Sequence, residues 1–356
     1  MNGSSAMEAK ELQGRVARLH YQHNMTHHEV GELLGLSRVK VTRLLAEARR
    51  SGIVEIRIHS PQAPFGDLEA ALTAEFGLGQ AWVAPSFSDA DRTYDAVGMA
   101  GSECLSALVP SARTVAVGLS SAIAAIIPHV RPEPVPGLGL VPLAGSWGGL
   151  SRGISPHELV LRLGTFFQGE TYHLPAPVLA SSPGMGRALR ADPGVRETLR
   201  LAADADLLVA GVGGMDRRSG LLIDRLSERE QAALDEAGAV GDISGRFFTR
   251  DGTPVTGDVD ERVVGLTLHE LSAIPRRVAV SFGPHKVEAL RTALGAGLMN
   301  MAVTDVNTAQ ALLKKPSGKQ KEQHKQHGQN GKREQDEKRA ERAEGDSDMK
   351  RKGTAS

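Results

Sequence analysis

The stretch that most constrains the fold is THHEVGELLGLSRVKVTRLLAEA, residues 26–48, because it encodes two short helices with almost no chain between them. Thr26 can accept a hydrogen bond from the backbone N–H of Glu29, and Glu29 stands three residues on, as a capping box requires. Gly35 can adopt the left-handed conformation that ends a helix, and Ser37 can cap a second helix. The pattern therefore predicts two helices joined by a tight turn.

Apolar residues recur at helical spacing on one side of each predicted helix. They are Val30, Leu33 and Leu34 in the first helix, Val41, Leu44, Leu45 and Ala48 in the second, and Leu12, Val16, Leu19 and Tyr21 in a helix that precedes both. Gly52 ends the second helix. We expect the preceding helix to pack behind the pair and close a small core.

The other sides of the second helix carry basic and hydrogen-bonding residues. The candidate DNA contacts are Ser37, Arg38, Lys40, Thr42 and Arg43. An α-helix fits the major groove, where Arg and Lys suit guanine O6 and N7 and Thr suits a phosphate or a thymine methyl group. These features predict a helix-turn-helix DNA reader. The alternative is an ordinary helical hairpin with a solvated charged side.

Length and composition limit the possible functions. The chain has 356 residues, enough for two folded domains, and a formal net charge of zero, which does not favour nonspecific coating of nucleic acid. The single cysteine, Cys104, excludes an internal disulfide and a cysteine-rich metal site. We therefore expect a reducing, cytoplasmic location and a buried Cys104. No apolar run reaches membrane-spanning length, so we expect no membrane partner.

Hydrophobic patterning divides the chain into three parts. We assign residues 1–60 to the DNA-binding domain, which would end in an amphipathic strand at residues 53–60. Residues 61–313 alternate helical and strand patterns, and strands such as LLVAGV are apolar throughout, as in a parallel sheet covered on both faces. We expect a Rossmann-like layered α/β domain with a mainly parallel sheet, which binds the effector and forms the oligomer. The charged, low-complexity residues 314–356 should be disordered.

Four predicted strands run into glycines, at Gly118, Gly145, Gly211 and Gly283. In open α/β sheets, ligands bind beyond the carboxyl ends of the strands, where glycines let the backbone approach them. Four such loops at one edge predict a ligand site, although each glycine alone could serve only a turn. The GVGG sequence at 211–214 lacks the full dinucleotide fingerprint and no Walker-type motif is present, so we expect no nucleotide cofactor and no metal.

Three segments behind the helical pair give a more specific signal. They are GAVGDISGRFFTRDG at 238–252, DERVVGLTL at 260–268 and AVTDVNTAQALL at 302–313. In their order and spacing, residues 12–313 resemble the SorC/DeoR-type family of bacterial sugar-binding transcriptional regulators. The resemblance implies an effector domain similar to sugar-phosphate isomerases. It also implies that an effector, usually a phosphorylated sugar, changes how a homodimer or homotetramer holds operator DNA.

The family's phosphate loop, G-x-G-x-T, falls on residues 118–122, which read GLSSA. Ser120 stands in place of the second glycine, and Ser121 supplies a hydroxyl group next to the expected position. Serine hydroxyl groups can still donate to phosphate oxygens, and the helix that starts there still presents backbone N–H groups. The resemblance therefore still implies a phosphorylated ligand.

Three further residues come from the same resemblance. The family's glycine-glycine-x-x-lysine motif falls on residues 282–286, with Phe282 in place of the first glycine, and implies that Lys286 faces the ligand's charge. Asp242 is implied to accept hydrogen bonds from sugar hydroxyl groups, and Arg262 could reach the same edge. From the residues alone, Asp242 could equally be a helix-end residue and Arg262 a surface cation.

Three classes of function remain open at this stage. The leading hypothesis is an allosteric DNA-binding regulator of carbohydrate metabolism, without enzymatic activity. An isomerase or deaminase would need a base poised beside an acid, for which Asp242, His285 and Asp305 are available; otherwise we expect His285 to cap a helix. A constitutive DNA-binding protein, whose second domain only oligomerises, is the third possibility.

Overall fold

The computed structural model describes residues 2–54, 63–118, 120–146, 155–216 and 222–314. The chain divides into two compact units, residues 1–63 and 64–356. The strand predicted for residues 53–60 falls almost entirely outside the described residues. The tail predicted for residues 314–356 also lies outside them, except for its first residue.

The first unit is built from three helices, as predicted. They are α1 (Asn2–Tyr21), α2 (His27–Leu34) and α3 (Arg38–Arg50). Thr26 and Glu29 form the predicted capping box, and Gly35 ends α2 in the left-handed conformation with φ 65°. The hydroxyl oxygen of Ser37 accepts a hydrogen bond from the backbone N–H of Lys40 at 3.2 Å and so caps α3. The tight turn between α2 and α3 is confirmed.

The core of this unit contains most of the predicted apolar residues. Its buried members are Val16, Ala17, Val30, Val41, Leu44, Leu45 and Ala48. The prediction is wrong for Leu33, which is 60% exposed, and for Tyr21, which is 38% exposed. The α2 helix instead uses Gly31 at its contact with the turn, because a Cβ atom there would lie 2.6 Å from the carbonyl oxygen of Leu36.

The second unit is a layered α/β domain, and the predicted fold class is confirmed. Its described strands are β1 (Gln80–Ala84), β2 (Thr114–Val117), β3 (Gly139–Pro142), β4 (Glu170–Thr171), β5 (Leu207–Ala210), β6 (Val212–Gly214), β7 (Ala239–Ile243), β8 (Arg246–Thr249), β9 (Arg276–Val280) and β10 (Met301–Asp305). Its described α-helices are α4 (Gly66–Phe76), α5 (Ala90–Leu108), α6 (Ser121–Ile126), α7 (Pro156–Phe167), α8 (Pro183–Ala191), α9 (Pro193–Ala203), α10 (Glu228–Glu236), α11 (Asp258–Arg262), α12 (Leu268–Ala273), α13 (Val287–Gly295) and α14 (Val306–Leu313).

The main sheet has the strand order β1-β10-β9-β5-β2-β3-β4, and all its pairs are parallel. From β2 the chain runs outward through β3 and β4, and then returns to place β5 on the other side of β2. The connections therefore reverse direction between β2 and β5, where loops diverge and leave a crevice at the carboxyl ends of the strands. This reversal determines where a ligand site can form.

Helices cover both faces of this sheet, as the fully apolar strands predict. One buried cluster joins the strands to α5, α6 and α7, and a second joins them to α4, α9, α12, α13 and α14. Cys104 on α5 is buried in the first cluster, and burial raises the pKa of its thiol. Among the described residues, no helix is long and apolar enough to cross a membrane.

A small antiparallel sheet, β6-β7-β8, was not predicted from the sequence. The stretch ADLLVAGVGG, read as one strand, forms β5 in the main sheet and β6 in the small sheet, with Gly211 between them. Asp242 lies on β7, so its interpretation as a helix-end residue is wrong. The side chain of Ser281, just after β9, donates to the carbonyl oxygen of Val212 at 2.9 Å and holds β6 beside the end of β9.

The contact between α5 and α6 gives a test of this packing. A Cβ atom on Gly98 of α5 would overlap the backbone carbonyl of Ala125, which cannot move without shifting α6. Gly98→Ala should lower the free energy of unfolding by about 1–3 kcal/mol. Urea denaturation followed by tryptophan fluorescence will measure this, since Trp82 and Trp147 both belong to the second unit.

Gly184→Ala is the matched control for this substitution. Gly184 lies in α8, and a Cβ atom added there would have no neighbour within 4 Å, so alanine should leave stability unchanged or raise it by about 0.5–1 kcal/mol. An unchanged urea midpoint for Gly98→Ala would contradict the close contact between α5 and α6.

Candidate DNA interface and ligand site

The predicted DNA contacts occupy the outer side of α3. Ser37, Arg38, Lys40, Thr42 and Arg43 are all exposed, and the first turn of α3 contains no acidic residue. The positive end of the helix dipole and the nearby cations therefore form a positively charged surface without a neighbouring carboxylate in that turn, and such a surface attracts phosphate. Their contact with DNA stays a prediction.

Besides Ser37, which caps α3, two of these side chains already have partners within the first unit. The hydroxyl of Thr42 donates to the carbonyl oxygen of Arg38 at 3.0 Å, and the Nδ1 atom of His27 lies 3.1 Å from the same hydroxyl oxygen. The pKa of His27 is lowered by burial, and further by the charges of His20 and Arg38. Because its proton is used inside the helix, Thr42 cannot donate to a base without breaking this bond.

Arg43 is also partly engaged. Its Nε atom lies 3.6 Å from a carboxylate oxygen of Glu47, one turn further along α3. Glu47 in turn accepts a hydrogen bond from the side-chain amide of Gln13 on α1 at 3.1 Å. The pair is weak because Arg43 is exposed, so the guanidinium can turn from Glu47 to a stronger acceptor.

The candidate ligand site begins at the crevice between β2 and β5. A Cβ atom on Gly118, just after β2, would lie 2.8 Å from both the Cβ atom of Ala210 and the Oγ atom of Ser244. A Cβ atom on Gly211, just after β5, would overlap the side chain of Ser120. Both predicted glycines are therefore required, because they let two serine side chains lie against the ends of the central strands.

The loop after β2 contains Ser120 and Ser121, whose contact with a ligand stays a prediction. The Oγ atom of Ser120 accepts a hydrogen bond from the backbone N–H of Ala122 at 3.1 Å, which caps α6 and leaves the hydroxyl proton free to point elsewhere. Ser121 is half-buried, and its carbonyl oxygen accepts a hydrogen bond from the hydroxyl of Tyr94. The ring of Tyr94 lies 6.0 Å from that of Phe282, and this aromatic pair borders the serine loop.

The turn between β7 and β8 brings a carboxylate and a hydroxyl group to the same crevice. One carboxylate oxygen of Asp242 accepts a hydrogen bond from the backbone N–H of Gly245 at 2.9 Å, and the other lies against the backbone of Gly213. Asp242 is buried, and burial raises the pKa of its carboxyl group, although Gly245 and Lys286 oppose this effect. A side chain on Gly213 would displace the carboxylate.

Ser244, in the same turn, has a buried side-chain hydroxyl group without a hydrogen bond to any described residue. Its φ angle is 51°, a left-handed conformation that costs about 1 kcal/mol or more for a residue other than glycine. Strain combined with an unsatisfied polar group is expected where a ligand completes the hydrogen bonding.

Lys286 supplies the positive charge. It ends a single 3₁₀ turn, Pro284–Lys286, that begins after Gly283, whose φ of 99° favours glycine and whose N–H donates to the hydroxyl of Thr308 at 2.8 Å. Burial lowers the pKa of Lys286, and the charge of Asp242 acts in the opposite direction. Within the described residues, no acceptor forms an ion pair with Lys286 inside 4.0 Å.

The structure gives other roles to two predicted site residues. Gly145 packs against the backbone of Ala176 and Pro177, which leaves no room for a side chain and none for a ligand on that side. Arg262 donates from Nε to the carbonyl oxygen of Ala180 at 2.7 Å and forms an ion pair with Glu230. We therefore assign Gly145 to a chain crossing and Arg262 to the packing of α11, and neither to the ligand site.

The residues considered as acid and base for an enzyme each bond to a different partner. His285 pairs with Asp216 at 3.2 Å and makes no side-chain cap on α13. Asp305 accepts hydrogen bonds from the hydroxyl of Ser86 at 2.6 Å and from the backbone N–H of Thr308 at 3.1 Å. In the part of the chain that the structure describes, no group of three or more His, Cys, Asp or Glu side chains could hold a metal ion.

Sequence reasoning missed Gly213, Ser244 and Tyr94. The dipeptide Ser244-Gly245 is a turn signal, but a turn signal does not show that the serine is strained or that its hydroxyl is buried. Gly213 and Tyr94 carry no local signal, because their importance depends on Asp242 and Ser121, which are distant in sequence.

Comparisons with known proteins identify the family. The family model described as "Putative sugar-binding domain" matches residues 61–314. The transcriptional regulator LsrR of Klebsiella pneumoniae subsp. pneumoniae is 33% identical over 316 residues, covering 86% of this chain and 94% of that protein. LsrR of Escherichia coli (strain K12) is 31% identical over 313 residues, covering 86% and 95%.

Solved structures show the same fold. A DeoR family transcriptional regulator from Listeria monocytogenes has 25% sequence identity and a TM-score of 0.64, covering 69% of this chain and 98% of that one. The full-length sorbitol operon regulator SorC from Klebsiella pneumoniae has 24% identity and a TM-score of 0.69, covering 85% and 98%. The chain therefore belongs to the SorC/DeoR-type family of transcriptional regulators that carry a sugar-binding domain.

Proposed function

We propose that this protein regulates transcription by binding operator DNA through α3, and that a small phosphorylated sugar or polyol in the β2–β5 crevice controls this binding. The observation that carries the proposal is the half-buried side chain of Lys286, which lies within electrostatic reach of the buried carboxylate of Asp242 but forms no ion pair inside 4.0 Å among the described residues. A partly buried charge without a close partner costs stability unless a ligand supplies one.

The remaining groups of the site fit a sugar phosphate. The hydroxyl of Ser120 and the unsatisfied hydroxyl of Ser244 are donors for phosphate oxygens. Asp242 has an acceptor oxygen for a sugar hydroxyl group, because its bond to Gly245 occupies only one carboxylate oxygen. An anion and a polyol are thus recognised by different groups within one crevice.

Regulation requires the effector to bind two states of the protein with different affinity. An operator with two half-sites is read by a symmetric oligomer, so we propose a homodimer or homotetramer held together by the second unit. We propose no enzymatic activity, since among the described residues no hydrogen bond or ion pair joins Asp242, His285 and Asp305 to one another.

A thermal-shift screen with sugar phosphates and the corresponding free sugars tests the effector. Binding to the native state alone must raise the melting temperature, and Lys286→Ala should weaken the affinity for a phosphorylated ligand about 10- to 100-fold. Lys314→Ala, which changes an exposed lysine of the same unit, is the control and should not alter it.

Three other outcomes would decide against parts of the proposal. A ligand that binds Lys286→Ala as well as the wild type would remove Lys286 from the site. A free sugar that binds as tightly as its phosphate would contradict the phosphorylated effector. No shift with any compound, while operator binding is intact, would favour a constitutive regulator.

The lowered pKa of Lys286 predicts how effector affinity depends on pH. Only the ammonium form attracts phosphate, and deprotonation begins below the ordinary value of 10.5 because burial disfavours the charge. Affinity should therefore fall as pH rises toward 10.5, a range in which a phosphate monoester with a second pKa of about 6 is fully ionised. Calorimetry across this range should show the fall in the wild type and a flat profile in Lys286→Met.

Arg43 tests the DNA interface. Arg43→Ala should lower operator affinity by about tenfold, because an arginine that contacts guanine or phosphate contributes about 1–3 kcal/mol. Gel-shift titration at one fixed salt concentration will measure this, with effector affinity as a second readout that should not change. Arg200→Ala, an exposed arginine paired with Asp204 in the second unit, is the control. Equal affinities for Arg43→Ala and the wild type would exclude Arg43 from the interface.

A further inference from the structure

One side chain in the DNA-reading helix has no structural explanation. Val39, in the first turn of α3, is 79% exposed, more than any other large apolar side chain described as exposed. It contributes nothing to the core of the first unit. As a β-branched residue it is also a weaker helix former than alanine. Neither packing nor helix propensity therefore favours valine here.

Isolated exposed apolar side chains are common on proteins, so exposure alone implies little. The position of Val39 is more informative. Thr42 and Arg43 follow it by three and four residues, and side chains at these spacings lie on one face of a helix. This face is opposite the buried Val41 and Leu45. Val39 thus lies on the face that α3 would turn toward the major groove.

Charge restricts the partner that this face can accept. Arg38 and Lys40 flank Val39 in the sequence, both are exposed, and the first turn of α3 contains no acidic residue. An apolar protein surface would have to desolvate these cations without compensation. DNA offers phosphates to the cations and, on one base only, an apolar group within the groove.

That group is the C5-methyl group of thymine, since the other three bases present only hydrogen-bonding groups in the major groove. The side chain of Val39 has no polar atom, so its two methyl groups can distinguish thymine from the other bases only by contact with this C5-methyl group. We infer that Val39 contacts the C5-methyl group of a thymine in each operator half-site and thereby contributes to sequence specificity.

This inference rests on the proposed DNA-binding function, and the experiment separates the two. The full-length protein first selects its operator from random duplexes, and each thymine of a selected half-site is then replaced singly by deoxyuridine, which lacks only the methyl group. One position should lose about fourfold in affinity with the wild type, the value expected for one methyl group withdrawn from water. In Val39→Ala, that position alone should become indifferent to the replacement.

Controls keep the outcomes distinct. Leu33→Ala removes another exposed apolar side chain from the same unit and should retain the full difference between thymine and uracil. Circular dichroism of Val39→Ala verifies that the helices are intact, as expected for an exposed site where alanine favours the helix. Selection of no sequence would contradict the proposed function itself. A selected operator whose thymine preferences are absent, or are unchanged in Val39→Ala, would overturn the role of Val39 and leave the proposed function standing.

Discussion

The proposed ligand site depends on the close approach of backbone and side chains at the point where the connections of the main sheet reverse direction. Gly118 and Gly211 follow the two central strands, and each has a serine side chain where its own Cβ would be. Gly213 makes the same allowance for the carboxylate of Asp242. Parallel strands present their carboxyl ends at one edge, and these three glycines leave room there for the polar side chains that line the crevice. Larger residues at these positions would displace those polar side chains.

The electrostatics of the crevice suit a protein that responds to a ligand. Asp242 is buried and Lys286 is half-buried, and burial raises the pKa of the first and lowers that of the second, yet among the described residues no ion pair joins them inside 4.0 Å. Ser244 adds a strained backbone and an unsatisfied hydroxyl. These features cost stability locally, and a ligand with an anionic group and hydroxyl groups would offset that cost.

The two units differ in how much the sequence could predict. In the first unit, capping boxes and left-handed glycines act within four residues, so local patterns gave the helices and the turn correctly. The prediction that Leu33 is buried was wrong, because α2 has only two turns and its contact area with the core is too small for all its apolar side chains. In the second unit, apolar strands correctly predicted the covered parallel sheet. The stretch ADLLVAGVGG was wrongly interpreted as one strand, because the break at Gly211 involves a close contact with Ser120, which is distant in the sequence. Arg262 was assigned to the ligand site by resemblance alone. Its ion pair with Glu230 joins residues distant in the sequence, so local patterns could not predict it.

The sequence by itself therefore determined the helical ends, the helix-turn-helix pattern, the covered α/β sheet and the family, because these depend on local propensity, hydrophobic period and motif order. Only the tertiary structure decided which glycines adjoin the crevice and that Ser244 is unsatisfied. It also decided that Lys286 has no ion-pair partner inside 4.0 Å within the described residues and that Val39 is free of the core. Each of these properties is a relation between residues distant in the chain, and burial, close approach and unpaired charge have no local signature.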